Sequence, residues 1–404
     1  EKTATVFLTD VHTGRGIDGV PRGVVKSLRL YHYDYAYRNM GGHYQIGIEG
    51  PWDVRRVIGT VPVYEDGSAM FEIPANTPVA LQPLDSEGKA LQLMRSWFVG
   101  MPGERVSCVG CHEKQNEVSP PRYVEAAKHA PSKPTPWYGP VRGFSFLREV
   151  QPVLDKFCVG CHDGKQAGCP NFADSTIIKT SAGMANFPAS YTELHPYVRR
   201  GGPEGDYSGL VPLEFHADTS PLVRMLTKGH HNVKLDAEGW DRLITWIDQN
   251  VPAHGTWTEV KPIPSNFAKR RIECAKAYAN IDGDPEVIPP TPAKRPAFVA
   301  PAPEAPRPQP VTMSGWPFSA KPAEESRLDL GNGQTMTLRK IPAGEYVMGD
   351  VNGALDEFPQ TRVKIEKPFW MGTTEVTLEQ FRQFDPKHRN GYYDRHYKDQ
   401  VNPG

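Results

Sequence analysis

The sequence predicts a multidomain protein with three parts: an N-terminal antiparallel β-sandwich-like domain, a mainly-α domain and a C-terminal α+β fragment. The length of 404 residues suits two to four domains. Short apolar, β-branched segments occur throughout residues 3–106. Apolar residues at helical spacing occur between residues 141 and 257. Eleven prolines fall within 289–322, a composition that favours an extended linker. The predicted parts are a β-rich domain at 1–118, a helical domain at 141–257, the Pro-rich linker at 289–322 and a truncated domain at 326–404.

Charge and hydropathy exclude several classes of function. The chain has 46 basic and 47 acidic side chains and a formal charge of −1, which gives no basic surface for nucleic acid. Mean hydropathy is −0.52, and no apolar run approaches the roughly 18 residues of a membrane-spanning helix. The chain starts at Glu1 without a basic-then-apolar leader. We therefore expect any export signal to lie upstream or to have been removed.

The N-terminal part is predicted to consist of strands punctuated by turns. Prolines at 62, 74, 78 and 83 suit strand ends or sheet edges. A hairpin can be drawn around the turn Asp85–Gly88. The predicted strands are Ala4–Leu8, Lys26–Tyr37, Ala69–Ile73, Val79–Leu81 and the return from Ala90 to Phe98.

The middle part carries helical periodicity. Phe144–Phe157 and Pro221–Lys228 are predicted helices, and the former leads directly into a cysteine motif. Residues 237–249 form the clearest helix, with Asp236 as a plausible N-cap. Its buried face follows the i, i+3, i+4, i+7 rule and consists of Trp240, Leu243, Ile244 and Ile247.

The C-terminal part resumes after the linker and stops in polar, aromatic-rich material at Gly404. Strands are predicted at Leu328–Lys340, Glu345–Met348 and Gln360–Ile365, and a short helix at Leu378–Phe384. Because no closing element follows, we expect this domain to be truncated.

Four of the six cysteines fall in two identical pentapeptides, Cys108–His112 and Cys158–His162, each reading Cys-Val-Gly-Cys-His. A Cys-x-x-Cys-His sequence is the attachment signature of c-type haem. Its thiols bind the edge of the porphyrin, and the histidine becomes an axial ligand of the iron. The sequence therefore predicts two covalently attached haem c groups, held by Cys108, Cys111, Cys158 and Cys161, with His112 and His162 on the metal.

Two other uses of these cysteines are weaker. Zinc ribbons place their two cysteine pairs roughly 15–20 residues apart, whereas these pairs are much further apart and both are followed by histidine. A redox dithiol would normally open a βαβ unit. The remaining thiols, Cys169 and Cys274, could pair in an oxidising compartment, although nothing in the sequence brings them together.

The sixth iron ligand decides between electron transfer and ligand binding. For the second haem, His230 is the first candidate, His231 the second and His216 a distant third. A helix entering the motif, a long loop, a ligand segment and a last helix together resemble the class I cytochrome c family. That family has a Met-Pro segment where this chain has His230-His231. The resemblance therefore implies bis-histidine ligation and a lower potential.

The first haem has no obvious sixth ligand. No helix enters its motif, and no histidine or Met-Pro segment follows it. His32 and His43 are possible ligands, although lone histidines usually do structural work. Tyrosines are also possible, but a cross-strand aromatic arrangement explains them better: Tyr31, Tyr33, Tyr35 and Tyr37.

Residues from about 25 to 257 resemble hydrazine synthase alpha subunits and related planctomycete-type multidomain cytochromes. The resembling stretches are Gly47–Val54, Pro74–Pro78, Gln82–Asp85, Met94–Trp97, both haem motifs and His230 to Asp248. In the synthases, a tyrosine four residues past one motif histidine holds a catalytic iron. The corresponding residue here is Asn116. This departure favours ordinary iron ligation by His112.

Residues from about 337 to 385 resemble the start of the formylglycine-generating enzyme, or sulfatase-modifying factor, domain. The similarity is carried by Ile341–Asp350, Asp356–Pro359 and Met371–Thr377. The family's catalytic cysteines lie near the end of that domain. No cysteine follows Cys274 in this chain. We therefore expect no formylglycine chemistry from these 404 residues.

These features together predict an exported, periplasmic or equivalent, dihaem cytochrome c that transfers electrons to redox partner proteins. The alternative is a hydrazine-synthase-like redox enzyme, in which a five-coordinate first haem binds a small nitrogen or oxygen species. A third hypothesis treats the β region and the C-terminal fragment as adhesion or scaffolding modules. No catalytic residue is assigned at this level.

Overall fold

The computed structural model describes residues 2–92, 94, 96–111, 124–179, 186–201, 211–289, 324–349 and 361–388. The chain divides into two compact units, Glu1–Pro303 and Glu304–Gly404. His112, Asn116 and nearly all of the predicted linker at 289–322 lie outside the described residues. The protein is thus multidomain with sheet-rich regions, as its sequence predicts.

Two main sheets form the N-terminal part of the first unit. One has the strand order β4-β1-β7 and the other β3-β2-β5-β6. Along the strands, buried and exposed residues alternate, which is the pattern of a sheet with one face on a core. The strands are β1 (Thr3–Leu8), β2 (Ser27–Asp34), β3 (Val54–Pro62), β4 (Ala69–Pro74), β5 (Pro78–Leu84), β6 (Phe98–Val99) and β7 (Arg105–Cys108).

One detail of this region differs from the predicted antiparallel domain. Strand β7 pairs with β1 in parallel, with Leu8 opposite Cys108. The predicted return strand from Ala90 to Phe98 is found at its two ends among the described residues, where Ala90 bridges Leu84 and β6 pairs with β5 from Phe98.

The helices follow the sequence closely. The predicted helices at 221–228 and 237–249 are confirmed, and the Asp236 side chain accepts from Gly239 N at 2.8 Å as an N-cap. The segment before the second cysteine motif is a π-helical turn, Phe146–Val150, followed by a short α-helix. The first unit contains α1 (Gln151–Phe157), the small hairpin β8 (Ile177–Lys179) and β9 (Asn186–Pro188), α2 (Ala189–Leu194), α3 (Pro221–Lys228), α4 (Ala237–Asp248), α5 (Trp257–Val260) and α6 (Ser265–Cys274).

One hydrophobic cluster joins the helices to the second sheet. Trp246 of α4, Phe146 and Tyr191 are fully buried in it. Tyr31 of β2 and Val57 of β3 belong to the same cluster. A second cluster lies around the first sheet and includes Val6, Leu30 and Phe71. The helices and the second sheet thus share one core, although the sequence suggests two separate domains.

A buried ion pair reinforces this junction. Arg29 of β2 donates to Asp248 at the end of α4 at 2.7 Å, and both side chains are almost fully buried. The other Arg29 nitrogen donates to Gly88 O at 2.9 Å, and Gln82 Nε2 donates to Asp248 O at 2.9 Å. Burial raises the pKa of Asp248 to about 6, while Arg29 opposes that shift. At neutral pH the pair is therefore charged on both sides.

We expect Asp248→Ala to lower the free energy of unfolding by about 3–5 kcal/mol, because it leaves the Arg29 guanidinium buried without its main partner. Urea unfolding at pH 7.5, above the pKa of about 6, measures the effect. The double variant Arg29→Met/Asp248→Leu is the control. Since it removes both charges, it should lose less stability than Asp248→Ala alone. Equal losses in the two variants would contradict the burial argument.

A contact between two glycines holds the segment before α1 against the chain after α4. A Cβ on Gly143 would lie 1.6 Å from Gly255 O. No side chain fits at that distance. We expect Gly143→Ala to lower the free energy of unfolding by about 2–3 kcal/mol, as overpacking does.

Gly201→Ala is the matched control for Gly143→Ala. A Cβ on Gly201 meets its nearest neighbour, the ring of Phe215, at 3.7 Å, which is ordinary van der Waals contact. Its effect should stay within about 1 kcal/mol. Thermal unfolding of both variants measures the difference. If Gly143→Ala were as stable as the control, the backbone segments at Gly143 and Gly255 would be able to move apart, which would contradict the prediction.

The second unit is sheet-rich, and its described residues include one short helix. The strand predicted at 328–340 is a hairpin, because the chain turns at Asn332-Gly333, where both φ angles are positive. The predicted helix at 378–384 is confirmed, with a capping box between Thr377 and Gln380. The elements are β10 (Glu325–Gly331), β11 (Gln334–Ile341), β12 (Gly344–Met348), β13 (Thr361–Ile365), β14 (Phe369–Gly372) and α7 (Leu378–Phe384).

Within the described residues, no helix has both the length and the apolar character needed to cross a membrane.

Candidate functional site

Helix α1 delivers the second cysteine motif as its C-terminal turn. Cys158 N and Val159 N both donate to Leu154 O, at 2.8 and 3.0 Å. His162 N donates to Cys158 O at 3.0 Å, which continues the turn. Cys161 is exposed, whereas Cys158 contacts the shared core. The motif thus presents one thiol to the core and one toward solvent, with His162 one residue further along.

The turn that carries this motif is fixed by a carboxylate in the preceding π-helical turn. Glu149 is 1% exposed and accepts two hydrogen bonds from Arg142, at 2.7 and 2.8 Å. It also accepts from Arg242 of α4. Because two guanidinium groups compensate its charge, the carboxylate can be buried. This cluster ties α4 to the chain entering α1.

The His162 ring is held in place by the loop that follows it. Its Nδ1 donates to Pro170 O at 3.1 Å, and its ring centre is 4.8 Å from that of Phe172. Phe172 N donates to His162 O at 2.9 Å, which closes the loop. A histidine that donates from Nδ1 keeps its Nε2 lone pair for a metal. No sequence motif predicts that Pro170 and Phe172 hold the His162 ring.

His230 lies opposite His162. The centres of the two rings are 5.9 Å apart, and their planes differ by 26°. His230 follows directly after Gly229, the residue that ends α3. His231 packs edge-on against His230, with ring centres 4.6 Å apart and an interplanar angle of 79°. The structure therefore brings together His162, His230 and His231.

His216, the third candidate ligand, is bound elsewhere. Its Nε2 donates to Asp85 at 3.1 Å, and its Nδ1 accepts from Asp218 N at 3.3 Å. Both ring nitrogens are thus used within the protein. The residue caps a short 3₁₀ turn and joins it to the end of β5.

The first cysteine motif follows β7 and is enclosed by the chain after β1. Thr9 N donates to Cys108 O at 3.0 Å, and Gly16 N donates to Cys111 O at 3.0 Å. A Cβ on Gly110 would lie 2.1 Å from Thr13 O. The motif's glycine therefore permits this close approach. Cys108 and Cys111 both pack against the second hydrophobic cluster.

The histidines considered for the first site have partners of their own. His32 Nε2 lies 3.4 Å from Asp34 Oδ1. The His43 ring packs edge-on against Trp52, with centres 4.6 Å apart.

The candidate tyrosines of this region also make local contacts. The Tyr31 hydroxyl donates to Gln82 at 2.5 Å, and that of Tyr33 donates to Met94 O at 3.4 Å. Tyr35 packs against Trp97, and the Arg271 guanidinium lies 3.5 Å from the centre of the Tyr37 ring. These contacts agree with the interpretation that the four tyrosines pack within the protein and are not iron ligands.

The two cysteine pairs do not converge. Cys108 and Cys111 pack against the second cluster and Cys158 against the first. Among the described residues there is no group of three or more His, Cys, Asp or Glu side chains that could hold a metal ion. A shared four-ligand zinc centre is therefore not formed in that part of the chain. Cys169 and Cys274 are free thiols, so the disulfide considered for them is not formed.

Burial makes Cys158 a poor redox thiol. It raises the pKa of the Cys158 thiol to about 12, with Cys161 and Asp155 as smaller contributions. The thiolate is the reactive form of cysteine. Cys158 therefore lacks the lowered pKa that dithiol oxidoreductases use.

Comparison with known families bears on both units. Residues 23–113 match the model of the hydrazine synthase alpha subunit middle domain. The match ends just past Cys111, so it includes the cysteines of the first motif. Residues 330–401 match the model of the sulfatase-modifying factor enzyme 1-like domain. The two family resemblances inferred from the sequence are confirmed.

Two individual proteins are similar to this chain at low identity. The hydrazine synthase subunit alpha of Kuenenia stuttgartiensis is 24% identical, over 35% of this chain and 24% of the relative. The chain thus spans about a quarter of that relative's length. The solved Kuenenia stuttgartiensis hydrazine synthase aligns with a TM-score of 0.48 at 17% identity, covering 66% of this chain and 44% of that one.

Proposed function

We propose that this chain is an exported dihaem c-type cytochrome that transfers electrons to and from redox partner proteins. In this proposal Cys108, Cys111 and His112 hold the first haem. Cys158, Cys161 and His162 hold the second, whose sixth ligand is His230. The proposal rests on one observation: the His162 and His230 rings lie next to each other, with their centres 5.9 Å apart.

Both imidazoles would hold the haem iron, at metal–nitrogen distances of about 2 Å. Their ring centres are 5.9 Å apart, which leaves room for one ion between the two rings. The Nδ1 hydrogen bond to Pro170 O leaves Nε2 of His162 for the metal. The donor set, two thiols and two imidazoles, therefore fits haem c.

The helices around this pair support a cytochrome-like helical domain at 141–257. Gly239 of α4 lies against α1, where a Cβ would come 3.2 Å from the Phe157 ring and 3.5 Å from Val153. The missing side chain lets the two helices approach closely. This crossing supports the resemblance to class I cytochrome c. The other proposed parts of the chain are a β-rich domain at 1–118, a Pro-rich linker at 289–322 and a sulfatase-modifying-factor-like domain at 326–404.

A bound haem would supply a one-electron couple. The residues of this chain would orient it and limit its chemistry. His162 and His230 would both hold the iron, which would disfavour exogenous ligands and leave electron transfer. The Pro170 carbonyl keeps the His162 ring in place, so little rearrangement of that ring would accompany a change of charge.

An optical spectrum with haem counting tests the proposal. The protein, matured in a periplasm with cytochrome c attachment machinery, should contain two haems by the pyridine haemochromogen assay. The ferrous second haem should be low-spin, and its spectrum should not change on mixing with carbon monoxide, because the gas can bind only at the slow rate at which His230 leaves the iron. A protein without covalent haem after acid-acetone extraction would contradict the proposal.

The alternative function is a hydrazine-synthase-like redox enzyme with a five-coordinate first haem. The local contacts of His32 and His43 favour it. Because His32 contacts Asp34 and His43 packs against Trp52, both candidate sixth ligands have other partners in the described structure. The family match over 23–113 supports it as well. One high-spin haem that binds carbon monoxide would select this alternative, with a small nitrogen or oxygen species as substrate. Two ligand-inert haems would exclude it.

A further inference from the structure

The residue next to the proposed ligand has an unusual backbone conformation. Val233 N donates to His230 O at 2.8 Å and closes a four-residue turn. Its central residues, His231 and Asn232, have φ angles of 46° and 55°. Positive φ at both centres is the arrangement of a type I′ turn, which favours asparagine and glycine. Asn232 suits this requirement, whereas His231 is not a residue that the turn itself selects.

The side chain of His231 has a defined place in spite of its exposure. It is exposed, yet its ring packs edge-on against the partly buried ring of His230 at 4.6 Å. An edge-to-face contact between rings is directional, because the positive edge of one ring meets the negative face of the other. The contact therefore restrains rotation of the His230 ring about its own side-chain bonds.

We propose that His231 is a positioning residue that fixes the plane of the His230 ring and slows its departure from the haem iron. This inference rests on the proposed function, since it takes His230 as an iron ligand. It explains why a histidine occupies a backbone position that glycine or asparagine would adopt at lower cost. It also assigns different roles to two adjacent histidines that the sequence leaves as alternatives.

The variant His231→Gly tests this role in the mature dihaem protein. Glycine accepts the positive φ, so the turn should persist while the ring contact is lost. We expect carbon monoxide to bind the ferrous second haem about fivefold faster or more, the size expected for the loss of one ring–ring contact. The low-spin ferric EPR signal should also shift, because it depends on the angle between the two imidazole planes.

Two further variants separate the ring from the backbone. Asn232→Gly changes the same turn but keeps both rings, so its EPR signal and carbon monoxide rate should match those of the wild type. His231→Phe restores a ring without nitrogen and should return the rate toward the wild-type value. Haem counting and far-UV circular dichroism confirm that each variant is folded and loaded.

The outcomes distinguish this inference from the proposed function. If His231→Gly leaves both readouts unchanged while His230→Ala makes the iron high-spin, the positioning role is wrong and the ligand assignment stands. If His230→Ala leaves the second haem low-spin, the proposed ligation itself fails. If His231→Gly alone makes the iron high-spin, His231 is the ligand and the inference is overturned.

Discussion

A protein carrying Cys158→Ala and Cys161→Ala is expected to contain one covalent haem instead of two. Both thioether bonds of the second haem would come from these cysteines, which lie at the end of α1. His162 and His230 alone would give only a reversible bond to iron. The pyridine haemochromogen assay and the mass of the denatured protein measure the loss. We also expect lower thermal stability, because Cys158 contacts the shared core.

Cys169→Ala is the matched control for this loss. Cys169 lies in the loop between His162 and Pro170 and is a free thiol. Its removal should leave both haems attached. Two haems in the double variant, or one haem in the control, would contradict the proposed attachment sites.

His230→Ala is expected to convert the second haem from low-spin to high-spin and to let its ferrous form bind carbon monoxide. The physical reason is that the ring 5.9 Å from His162 would be gone, so one axial position opens. Resonance Raman spectra of the ferrous protein, with and without carbon monoxide, report the change directly. The expected effect is a change of coordination number, not a small shift of the spectrum.

His216→Ala serves as the control for ligand loss. Its ring is bound to Asp85 and to the backbone of Asp218. Its removal should leave the second haem low-spin while it lowers the free energy of unfolding by about 1 kcal/mol, because the partly buried Asp85 carboxylate would lose a hydrogen bond. A high-spin second haem in His216→Ala would contradict the assignment of His230.

The helices could be predicted well because their signals are local. The apolar period of residues 237–248 and the N-cap at Asp236 placed α4 to within one residue. The two Cys-x-x-Cys-His motifs are equally clear in the sequence, and haem attachment at both of them stays a prediction. The hairpin between β10 and β11 was missed, although Asn332-Gly333 is a strong local turn signal.

Features that depend on tertiary contacts could not be predicted. The parallel pairing of β7 with β1 joins segments far apart in the chain, and no local pattern encodes such a partner. The hydrogen bond from His162 to Pro170 O required the path of the intervening loop. The sequence ranks His230 first, His231 second and His216 third as ligands of the second haem. The contacts of His216 with Asp85 and of His230 with His162 agree with that order.

The core shared by α4 and the second sheet has a consequence for how such proteins can evolve. Tyr31 and Trp246 lie in the same cluster, and Arg29 and Asp248 link the same two elements. Gene fusion or recombination that moved residues 141–257 alone would expose these apolar surfaces and leave a buried charge unmatched. The helices and the sheet are therefore expected to be inherited together. Exchange between lineages should occur instead at the boundary between the two compact units, Glu1–Pro303 and Glu304–Gly404.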